Sequence, residues 1–275
     1  MTTRTLGGAR IHVHEAGRGE PVVLVHSSGM SSRQFKRLTH RLAAGFRVLA
    51  PDLLGYGLSE AWTEPGPFDV ARDVAVVTEV ARAAGGGVHL VGHSYGGFLC
   101  LQAAMDASLH VRSIAVYEPV AFGVLRSDEE ARARSDLDRL GDELFAPELD
   151  GTETWLRRFV EWWNGPGSWD AMPEPARRRF GAAAHKTFHE VNAIRLDETP
   201  ADAYRAIEAP TLLIHGSETT AAERRVCAIL AETLPAVEHR VVEGAGHMGP
   251  LTHSETVDAW VEAHLERHAG PDQGN

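Results

Sequence analysis

Apolar residues in this chain fall into short continuous runs, and most of these runs are followed by a segment with helical spacing. Such runs are typical of strands buried on both faces of a parallel sheet. They cover residues 21–26, 46–50, 88–91, 111–117 and 210–216, and a last strand is predicted at residues 237–243. Helical spacing is found in residues 33–44, 68–84, 221–234 and 252–268 and in the segment after Ser94. Since strands joined through helices form right-handed parallel crossovers, the pattern predicts an α/β fold with a mostly parallel, doubly wound sheet.

The N-terminal segment has a different pattern. Residues 4–15 alternate weakly, with Ile11 and Val13 on one face and His12 and His14 on the other. Alternation of this kind predicts an edge strand or a hairpin. The two histidines are interpreted as the solvated face of that strand, because no carboxylate or third ligand lies at a metal-binding spacing from them.

Between residues 120 and 200 the strand patterns stop and the density of charged residues rises. This change predicts a helical insertion, with its clearest helical windows at residues 128–140 and 152–163 and a third helix opening at Pro173. The chain is therefore divided into a core of residues 1–119 and 201–268, a helical lid of residues 120–200, and a disordered tail of residues 269–275.

The predicted lid is rich in tryptophan, and two interpretations of these residues remain open. Trp155, Trp162, Trp163 and Trp169 either pack the lid against the core or form the wall of an apolar substrate pocket, since both environments use the same residue types. Trp155, Trp162 and Trp163, together with Met248, are the candidate pocket residues.

The composition limits the possible partners and compartments. The chain has 275 residues, of which 43% are hydrophobic and 24% charged, enough for one sizeable α/β domain. Its formal charge of -11 argues against nucleic acids and anionic membranes as partners, because both attract proteins with basic patches. The chain contains only two cysteines, Cys100 and Cys227, and we find neither a secretory signal nor an apolar run of membrane-spanning length. These features predict a cytoplasmic protein, monomeric or homodimeric, that acts on a small molecule.

The segment from Gly92 to Gly96 has the chemistry expected of a nucleophile. It reads Gly-His-Ser-Tyr-Gly and joins a predicted buried strand to a predicted helix. In G-x-S-x-G the two glycines make room for a strained turn that exposes the serine hydroxyl at the start of the helix. Ser94 is therefore the candidate nucleophile, and the backbone amide of Tyr95 is a candidate donor to an oxyanion.

A second oxyanion donor is expected in the loop after the first buried strand. Residues 26–32 are mostly small, so backbone amides there can approach a ligand closely, and the amide of Ser28 is the favoured donor. Asp52 lies in the glycine-rich turn of residues 51–59. It is expected to cap that turn through its own hydrogen bonds rather than to act in catalysis.

A serine hydroxyl needs a positioned base, and His247 is the strongest candidate among the 15 histidines. It lies in the glycine-rich loop of residues 244–250, directly after a predicted inner strand, from where a side chain can reach over the sheet edge. The imidazole in turn needs an acidic partner that fixes its tautomer.

Four motifs together resemble those of the α/β-hydrolase family with a helical cap. They are Val25-His26, the segment Pro-Asp-Leu-Leu-Gly-Tyr-Gly-Leu-Ser at residues 51–59, the segment Gly-His-Ser-Tyr-Gly-Gly at residues 92–97, and Gly-Ala-Gly-His at residues 244–247. They occur in the order found in that family. The resemblance implies that the lid is a cap inserted after the sixth strand. It also implies a Ser-His-acid triad whose acid usually follows the strand of residues 210–215.

The usual position of that acid is occupied by Thr219 in this chain, so another carboxylate must replace it. Two are available: Glu218, one position earlier in the same loop, and Glu118, directly after the strand of residues 111–117. Some relatives, including a subset of haloalkane dehalogenases, place the acid after that earlier strand, and residues 116–119 resemble their arrangement. We favour Glu118 because its strand end lies at the active edge of a parallel sheet, and Glu218 is the alternative.

The resemblance implies a hydrolase that forms an acyl-enzyme, with Ser94 as nucleophile, His247 as base and Glu118 as the orienting acid. An ester of a small to medium apolar acyl group is the preferred substrate, while C–C bond hydrolysis, lactonase and perhydrolase activities are alternatives. A ligand-binding protein without turnover is the alternative from another class. No metal or organic cofactor is expected, since we find no ligands at metal-binding spacing. The glycine motifs also match the turn around a nucleophilic serine better than a dinucleotide-binding loop.

Overall fold

The computed structural model describes residues 2–127 and 130–270, and its strands form one sheet. The strands are β1 (Thr2–Leu6), β2 (Ala9–Ala16), β3 (Glu20–Val25), β4 (Phe46–Pro51), β5 (Val88–His93), β6 (Val111–Tyr117), β7 (Thr211–Gly216) and β8 (Val237–Val242). Across the sheet their order is β1-β2-β4-β3-β5-β6-β7-β8. The β1–β2 and β2–β4 pairs are antiparallel, and all pairs from β4 to β8 are parallel. The predicted mostly parallel, doubly wound sheet is confirmed.

Parallel pairing brings the carboxyl ends of the central strands together at one edge of the sheet. Gly92 of β5 pairs with Val25 of β3 on one side and with Val116 of β6 on the other. The loops that follow these three strands therefore leave the sheet side by side. Ligands of open α/β sheets bind at this edge, so the loops after β3, β5 and β6 are in position to form one site.

The described helices either cover the two faces of the sheet or lie in the segment between β6 and β7. They are α1 (Lys36–Leu42), α2 (Ala71–Ala84), α3 (Tyr95–Ala104), α4 (Ala131–Leu144), α5 (Glu153–Asn164), α6 (Ser168–Ala171), α7 (Glu174–Ala182), α8 (Ala184–Arg195), α9 (Ala221–Thr233), α10 (Gly249–Thr252) and α11 (Ser254–Arg267). Val22 and Leu24 of β3 share a buried cluster with α1 and α11, while Val23 and Val25 share another with α2 and α3, as the two-residue period of a strand requires. Within the part of the chain that is described, no helix is both long and apolar enough to cross a membrane.

The chain between β6 and β7 is helical and has an apolar interior of its own. It contains α4 to α8 and short 3₁₀ helices at Phe122–Arg126, Pro147–Leu149 and Ala201–Ala206, and we call it the cap. The buried apolar side chains of its interior are Leu144, Trp155, Leu156, Phe159, Val160, Trp169, Phe180, Ala184 and Phe188. Because all of them come from the cap, its helices pack on one another as well as on the sheet layer.

The helix boundaries in the cap follow local sequence signals. The hydroxyl of Thr152 accepts a hydrogen bond from the amide of Trp155 at 3.2 Å, which caps the start of α5. α7 begins directly after Pro173, where the sequence predicts a helix start. The window predicted at residues 128–140 corresponds to α4, which begins at residue 131 and ends at residue 144; residues 128 and 129 lie outside the described residues.

The C-terminal end of the described chain contacts the start of β3. The amide of Gly270 donates to a carboxylate oxygen of Glu20 at 3.0 Å. Residues 271–275 of the predicted disordered tail lie outside the described residues.

Candidate active site

Ser94 lies in a sharp turn between β5 and α3. Its backbone has φ 54° and ψ -122°, a conformation that residues with a side chain rarely adopt. The flanking glycines are required for steric reasons. A Cβ on Gly92 would lie 2.3 Å from the carbonyl oxygen of Gly96, and a Cβ on Gly96 would lie 2.0 Å from that of Val25. The turn therefore depends on both glycines of the G-x-S-x-G segment.

Ser94, His247 and Glu118 form a continuous hydrogen-bonded row, which we call the catalytic row. The Ser94 hydroxyl donates to Nε2 of His247 at 2.9 Å, and Nδ1 of His247 donates to Oε2 of Glu118 at 2.6 Å. The three residues are buried, with 6%, 4% and 0% of their surface exposed in that order. A carboxylate on Nδ1 fixes the tautomer in which Nε2 can accept the serine proton. The row is therefore able to activate a hydroxyl nucleophile.

Glu118 is held by donors from the loop that follows β7. The amide of Gly216 donates to its Oε1 and the hydroxyl of Thr219 donates to its Oε2, both at 2.9 Å. Thr219 occupies the position at which the resembled family usually has its acid, and in this chain it hydrogen-bonds to the substitute carboxylate. These two hydrogen bonds hold the carboxyl group in the orientation in which its Oε2 faces Nδ1 of His247.

The backbone beside Glu118 is strained. Glu118 and Val120 have φ values of 46° and 39°, and such conformations persist only where the surroundings hold them. The amide of Val120 donates to Oε1 of Glu223 at 3.3 Å. Burial and the neighbouring Glu118 charge hold the pKa of Glu223 well above its usual range. Glu223 therefore supports this turn by accepting the hydrogen bond of the Val120 amide.

The alternative acid, Glu218, lies away from the imidazole. Its side chain is exposed, and one of its carboxylate oxygens accepts a hydrogen bond from the hydroxyl of Ser217 at 3.4 Å. Its backbone amide donates to the carbonyl of Ala245 at 2.8 Å. Of the two carboxylates that the sequence proposes, Glu118 is the one that contacts His247.

Two buried side chains fix the backbone of the His247 loop. Nε2 of His93 donates to the carbonyl of His247 at 2.8 Å, and the hydroxyl of Tyr117 donates to the carbonyl of Gly246 at 2.7 Å. Burial lowers the pKa of His93 well below its usual range, so its ring is neutral, and its Nδ1 accepts from the amide of Gln34 at 2.8 Å. Neutral groups thus position the loop, and they place no fixed positive charge beside the ring that must take up a proton.

The loop after β3, where an oxyanion donor is predicted, contacts the cap. The hydroxyl of Ser28 makes a short hydrogen bond to Glu190 of α8. Gly29 has a φ of 72°, and a Cβ there would overlap the ring of Phe180 in α7. The close approach of the cap therefore requires glycine at this position.

Tyr95 and Asp52 have the placements that the sequence predicts for them. Tyr95 is the first residue of α3, so its amide has no partner within the helix, and its hydroxyl donates to Asp73 at 2.9 Å. Asp52 accepts hydrogen bonds from the amides of Ser32 and Leu58, both at 2.8 Å. It therefore joins the loop after β3 to the turn after β4.

A second buried polar cluster lies where the cap meets α2. It consists of Asp73, Lys186 and Glu190, and we call it the seam cluster. Nζ of Lys186 lies 3.0 Å from Oδ2 of Asp73 and forms a short ion pair with Glu190, and none of the three side chains is more than 1% exposed. The ammonium also lies 3.6 Å from the ring centroid of Phe68. Burial raises the pKa of Glu190, and the Lys186 charge opposes that shift.

No sequence motif marks the seam cluster. Lys186 and Glu190 are one turn apart on a helix, and this spacing is usual for ion pairs on solvated faces. The only available signal was that α8 also carries apolar residues, which predicts that the helix packs against another element. The packing of α8 against the core buries the pair, and this packing cannot be predicted from the spacing of the two residues.

The tryptophans of the cap have different environments. Trp163 stacks on His247, with the ring centroids 3.6 Å and the planes 17° apart. Trp162 packs edge-on against Trp163 and lines an open groove of about 570 Å³ between α4 and α5. Trp155 is fully buried and stacks on Phe159 inside the cap, with centroids 5.1 Å apart. Trp155 is therefore a cap-core residue and not the pocket wall that the sequence proposed.

A cap side chain lies over the histidine of the catalytic row. Trp163 covers the imidazole of His247, and Met248, the other candidate pocket residue, directly follows His247 and is half-buried. A cavity of about 130 Å³ lies on the sheet face covered by α1 and α11, and Ser94 and Glu118 do not line it.

Comparison with known proteins agrees with this fold. A model of the alpha/beta hydrolase family matches residues 22–262. The chain is similar to the 2-hydroxymuconate semialdehyde hydrolase of Pseudomonas putida, with 28% identity over 267 residues, which cover 94% of this chain and 91% of that protein. It is similar in structure to an esterase from Thermogutta terrifontis, with a TM-score of 0.76 and 20% identity over 98% of this chain and 99% of that one. It is also similar to a meta-cleavage product hydrolase from Pseudomonas fluorescens IP01, with a TM-score of 0.69 and 19% identity over 97% of this chain and 98% of that one.

Proposed function

Since the chain belongs to the α/β hydrolase family, we propose that it is a serine hydrolase that cleaves an ester-type bond of a small to medium apolar substrate. The observation that carries the proposal is the catalytic row. Its three members come from the ends of β5, β6 and β8, and each contacts the next at hydrogen-bond distance within a buried site. Separate chain segments meet in this order in enzymes that activate a serine.

The proposed reaction has two halves. Oγ of Ser94 attacks the acyl carbon while Nε2 of His247 takes the hydroxyl proton, and the imidazolium then gives that proton to the leaving alcohol. Water next attacks the acyl-enzyme, His247 takes a proton from it, and the acid product leaves as Ser94 regains its proton. Glu118 orients the imidazole and stabilises its positive charge in both halves.

Two backbone amides are proposed to stabilise the tetrahedral intermediate. The amide of Tyr95 begins α3, where the helix dipole also favours negative charge. The amide of Ser28 lies in the loop after β3, beside the Ser94 turn. Preorganised donors of this kind typically contribute about 2.7–4 kcal/mol each to catalysis, so the position of the Ser28 loop matters for turnover.

The charges beside the site favour a neutral substrate. Glu118 and Asp73 are buried carboxylates, and the cation of the seam cluster, Lys186, is already paired with Asp73 and Glu190. The catalytic row and the seam cluster together hold three carboxyl groups, those of Glu118, Asp73 and Glu190, and a single lysine ammonium. An anionic substrate group nearby would be repelled, and the repulsion is strong where the local dielectric is low. The indole of Trp163 adds an apolar surface beside the histidine.

A second candidate function is hydrolysis of a C–C bond by the same serine. It is supported by the name of the similar protein of Pseudomonas putida, a 2-hydroxymuconate semialdehyde hydrolase, which aligns along 94% of this chain. A muconate-type substrate carries a carboxylate, which would lie close to the buried carboxyl groups of Glu118, Asp73 and Glu190. The ester proposal therefore comes first, and lactonase or perhydrolase activity would use the same acyl-enzyme.

Steady-state kinetics on a matched substrate panel test the proposal. The panel contains p-nitrophenyl butyrate, p-nitrophenyl succinate as its anionic counterpart, a γ-lactone, and a ring-cleavage product with a C–C bond to be hydrolysed. We expect kcat/KM for the butyrate to exceed that for the succinate by at least about tenfold, because 1.4 kcal/mol of repulsion suffices for that ratio. A higher kcat/KM for the ring-cleavage product would favour the second candidate. Absence of turnover on the whole panel by the folded protein would favour a ligand-binding role.

A further inference from the structure

Three side chains of metal-ligating type lie together in the cap, outside the catalytic row. Asp150 follows the 3₁₀ helix Pro147–Leu149, and His185 and His189 are one turn apart on α8. One ligand atom from each residue lies within 4.8 Å of the other two. We propose that His185, His189 and Asp150 bind a divalent transition-metal ion of the Zn²⁺ type. The proposal does not depend on the proposed function.

The hydrogen bonds of His185 favour a cation at its Nδ1. Nε2 of His185 donates to the carbonyl of Glu64 at 3.2 Å, and Nδ1 lies 2.9 Å from each carboxylate oxygen of Asp150. A neutral ring with its proton on Nε2 would direct the Nδ1 lone pair at a carboxylate, so Nδ1 must hold either a proton or a metal ion. Histidines that bind metals commonly donate their other N–H to a backbone carbonyl, as His185 does.

His189 brings a second nitrogen to the same carboxylate. Its Nε2 lies 3.0 Å from Oδ2 of Asp150. Ligand atoms 2.0–2.2 Å from a tetrahedral ion lie about 3.4 Å apart, so each N···O distance would lengthen by about 0.4 Å when the ion binds. The side chains of His185, Asp150 and His189 are 38%, 26% and 15% exposed, which leaves access for the ion and for water as a further ligand.

The core holds the histidine rings in place. Trp62 stacks on His185 with the centroids 5.0 Å and the planes 14° apart, and it contacts His189 edge-on at 5.4 Å. Trp62 and Glu64 lie in the loop before α2, whereas the three proposed ligands belong to the cap. A bound ion would therefore link α8 to the Asp150 segment and strengthen the contact of both with the core.

The donor set selects the class of ion. Two imidazole nitrogens and one carboxylate oxygen favour Zn²⁺, Co²⁺ or Ni²⁺, whereas Mg²⁺ and Ca²⁺ prefer oxygen ligands. The His-x-x-x-His spacing at residues 185–189 was present in the sequence, so the expectation that no ligands lie at metal-binding spacing overlooked it. The carboxylate partner, 35 residues earlier in the chain, could not be identified from spacing.

Calorimetric titration of the full chain with ZnCl₂, after treatment with a chelator, tests the site. We expect one strong site per chain and a higher melting temperature in Zn²⁺ than in EDTA, with no such shift in MgCl₂. Asp150→Asn keeps the shape of the side chain and removes its charge, and His189→Gln removes a nitrogen ligand. Each change should weaken Zn²⁺ binding by more than about 100-fold, since even outer-shell changes at metal sites cost 10–100-fold.

The matched control is His239→Gln. It disrupts another histidine pair, in which Nδ1 of His215 lies 2.9 Å from Nε2 of His239. Zn²⁺ affinity and stoichiometry should be unchanged in this variant, and near-UV circular dichroism should confirm that all variants are folded. Failure of the wild-type chain to bind Zn²⁺, or equal binding by Asp150→Asn and His189→Gln, would overturn the proposal and leave an imidazolium–carboxylate ion pair.

Discussion

The catalytic row and the seam cluster are both buried polar clusters, but their charges are arranged differently. In the row, His247 separates the carboxylate of Glu118 from the hydroxyl of Ser94. In the seam cluster, the ammonium of Lys186 contacts two carboxylates directly. The first arrangement contains a proton that can move between neutral groups, and the second pairs its charges in fixed positions. Under the proposed function, the buried charge of the row takes part in catalysis, whereas the buried charges of the seam cluster hold the cap and the core in place.

The two clusters meet at the residues proposed to form the oxyanion hole. The side chain of Ser28 bonds to Glu190, and the side chain of Tyr95 bonds to Asp73. The seam cluster thus fixes both segments whose backbone amides are proposed to stabilise the tetrahedral intermediate. We therefore expect changes in the row to abolish turnover with little effect on stability, and changes in the seam cluster to reduce stability first.

The largest expected effect is that of Ser94→Ala. Removal of the nucleophile should lower kcat by about 10⁶-fold, the loss typical of a complete triad, while the melting temperature stays near that of the wild type. Turnover of p-nitrophenyl butyrate and thermal unfolding measure the two quantities. A residual kcat within about 100-fold of wild type would mean that another group is the nucleophile.

Glu118→Gln should have the next largest effect. The amide cannot hold His247 in the required tautomer or stabilise its charge, so we expect kcat to fall by about 10⁴-fold. Glu218→Gln is the matched control, since Glu218 lies in the loop that usually carries the acid but is exposed. The kcat of Glu218→Gln should remain near that of the wild type. Loss of turnover in Glu218→Gln but not in Glu118→Gln would identify Glu218 as the acid.

Lys186→Met tests the structural role of the seam cluster. The change leaves Asp73 and Glu190 buried without their cation, and loss of one partner of a buried ion pair costs about 3–5 kcal/mol in the free energy of unfolding. Urea unfolding measures this free energy. Arg178→Met is the matched control because it removes an exposed arginine that pairs with Glu174 on α7, and it should leave the unfolding curve almost unchanged. Equal curves for the two variants would contradict a structural role for the seam cluster.

Ser28→Ala should have the smallest effect. Its hydroxyl orients the loop through a buried hydrogen bond to Glu190, and a typical hydrogen bond contributes about 0.5–1.5 kcal/mol, so kcat should fall by up to about tenfold with KM little changed. Ser31→Ala, in the same loop, is the control and should keep the wild-type kcat. A rise in KM at unchanged kcat would indicate that Ser28 contacts the substrate and does not position the oxyanion hole.

The sequence locates the catalytic row because the fold restricts where its members can lie. Gly92 and Gly96 mark a turn that steric contacts require, and the strand order brings the ends of β5 and β6 to the same edge. Glu118 is predictable for the same reason, since it ends the strand next to Ser94. The supporting bond from Thr219 is not predictable, because it depends on how the loop after β7 folds over that strand end.

The cap is predictable as a helical segment but not in its contacts. Trp155 and Trp163 lie on the same helix, yet one ring is inside the cap and the other covers His247. Helical spacing places residues on a face, and only the angle at which α5 packs decides what that face touches. Lys186 and Glu190 are hidden from sequence reasoning for the same reason, because their helical spacing fits a solvated surface equally well.

Labelling with a fluorophosphonate, followed by intact-mass measurement, tests the central claim most directly. The folded wild-type chain should gain one adduct, located at Ser94 by peptide mapping. Ser94→Ala should gain none, and Glu118→Gln should react much more slowly than Glu218→Gln. Two outcomes would contradict the assignment of Ser94, His247 and Glu118 as a catalytic triad. One is a folded wild-type chain that remains unlabelled, and the other is a Glu118→Gln variant that is labelled as fast as the wild type.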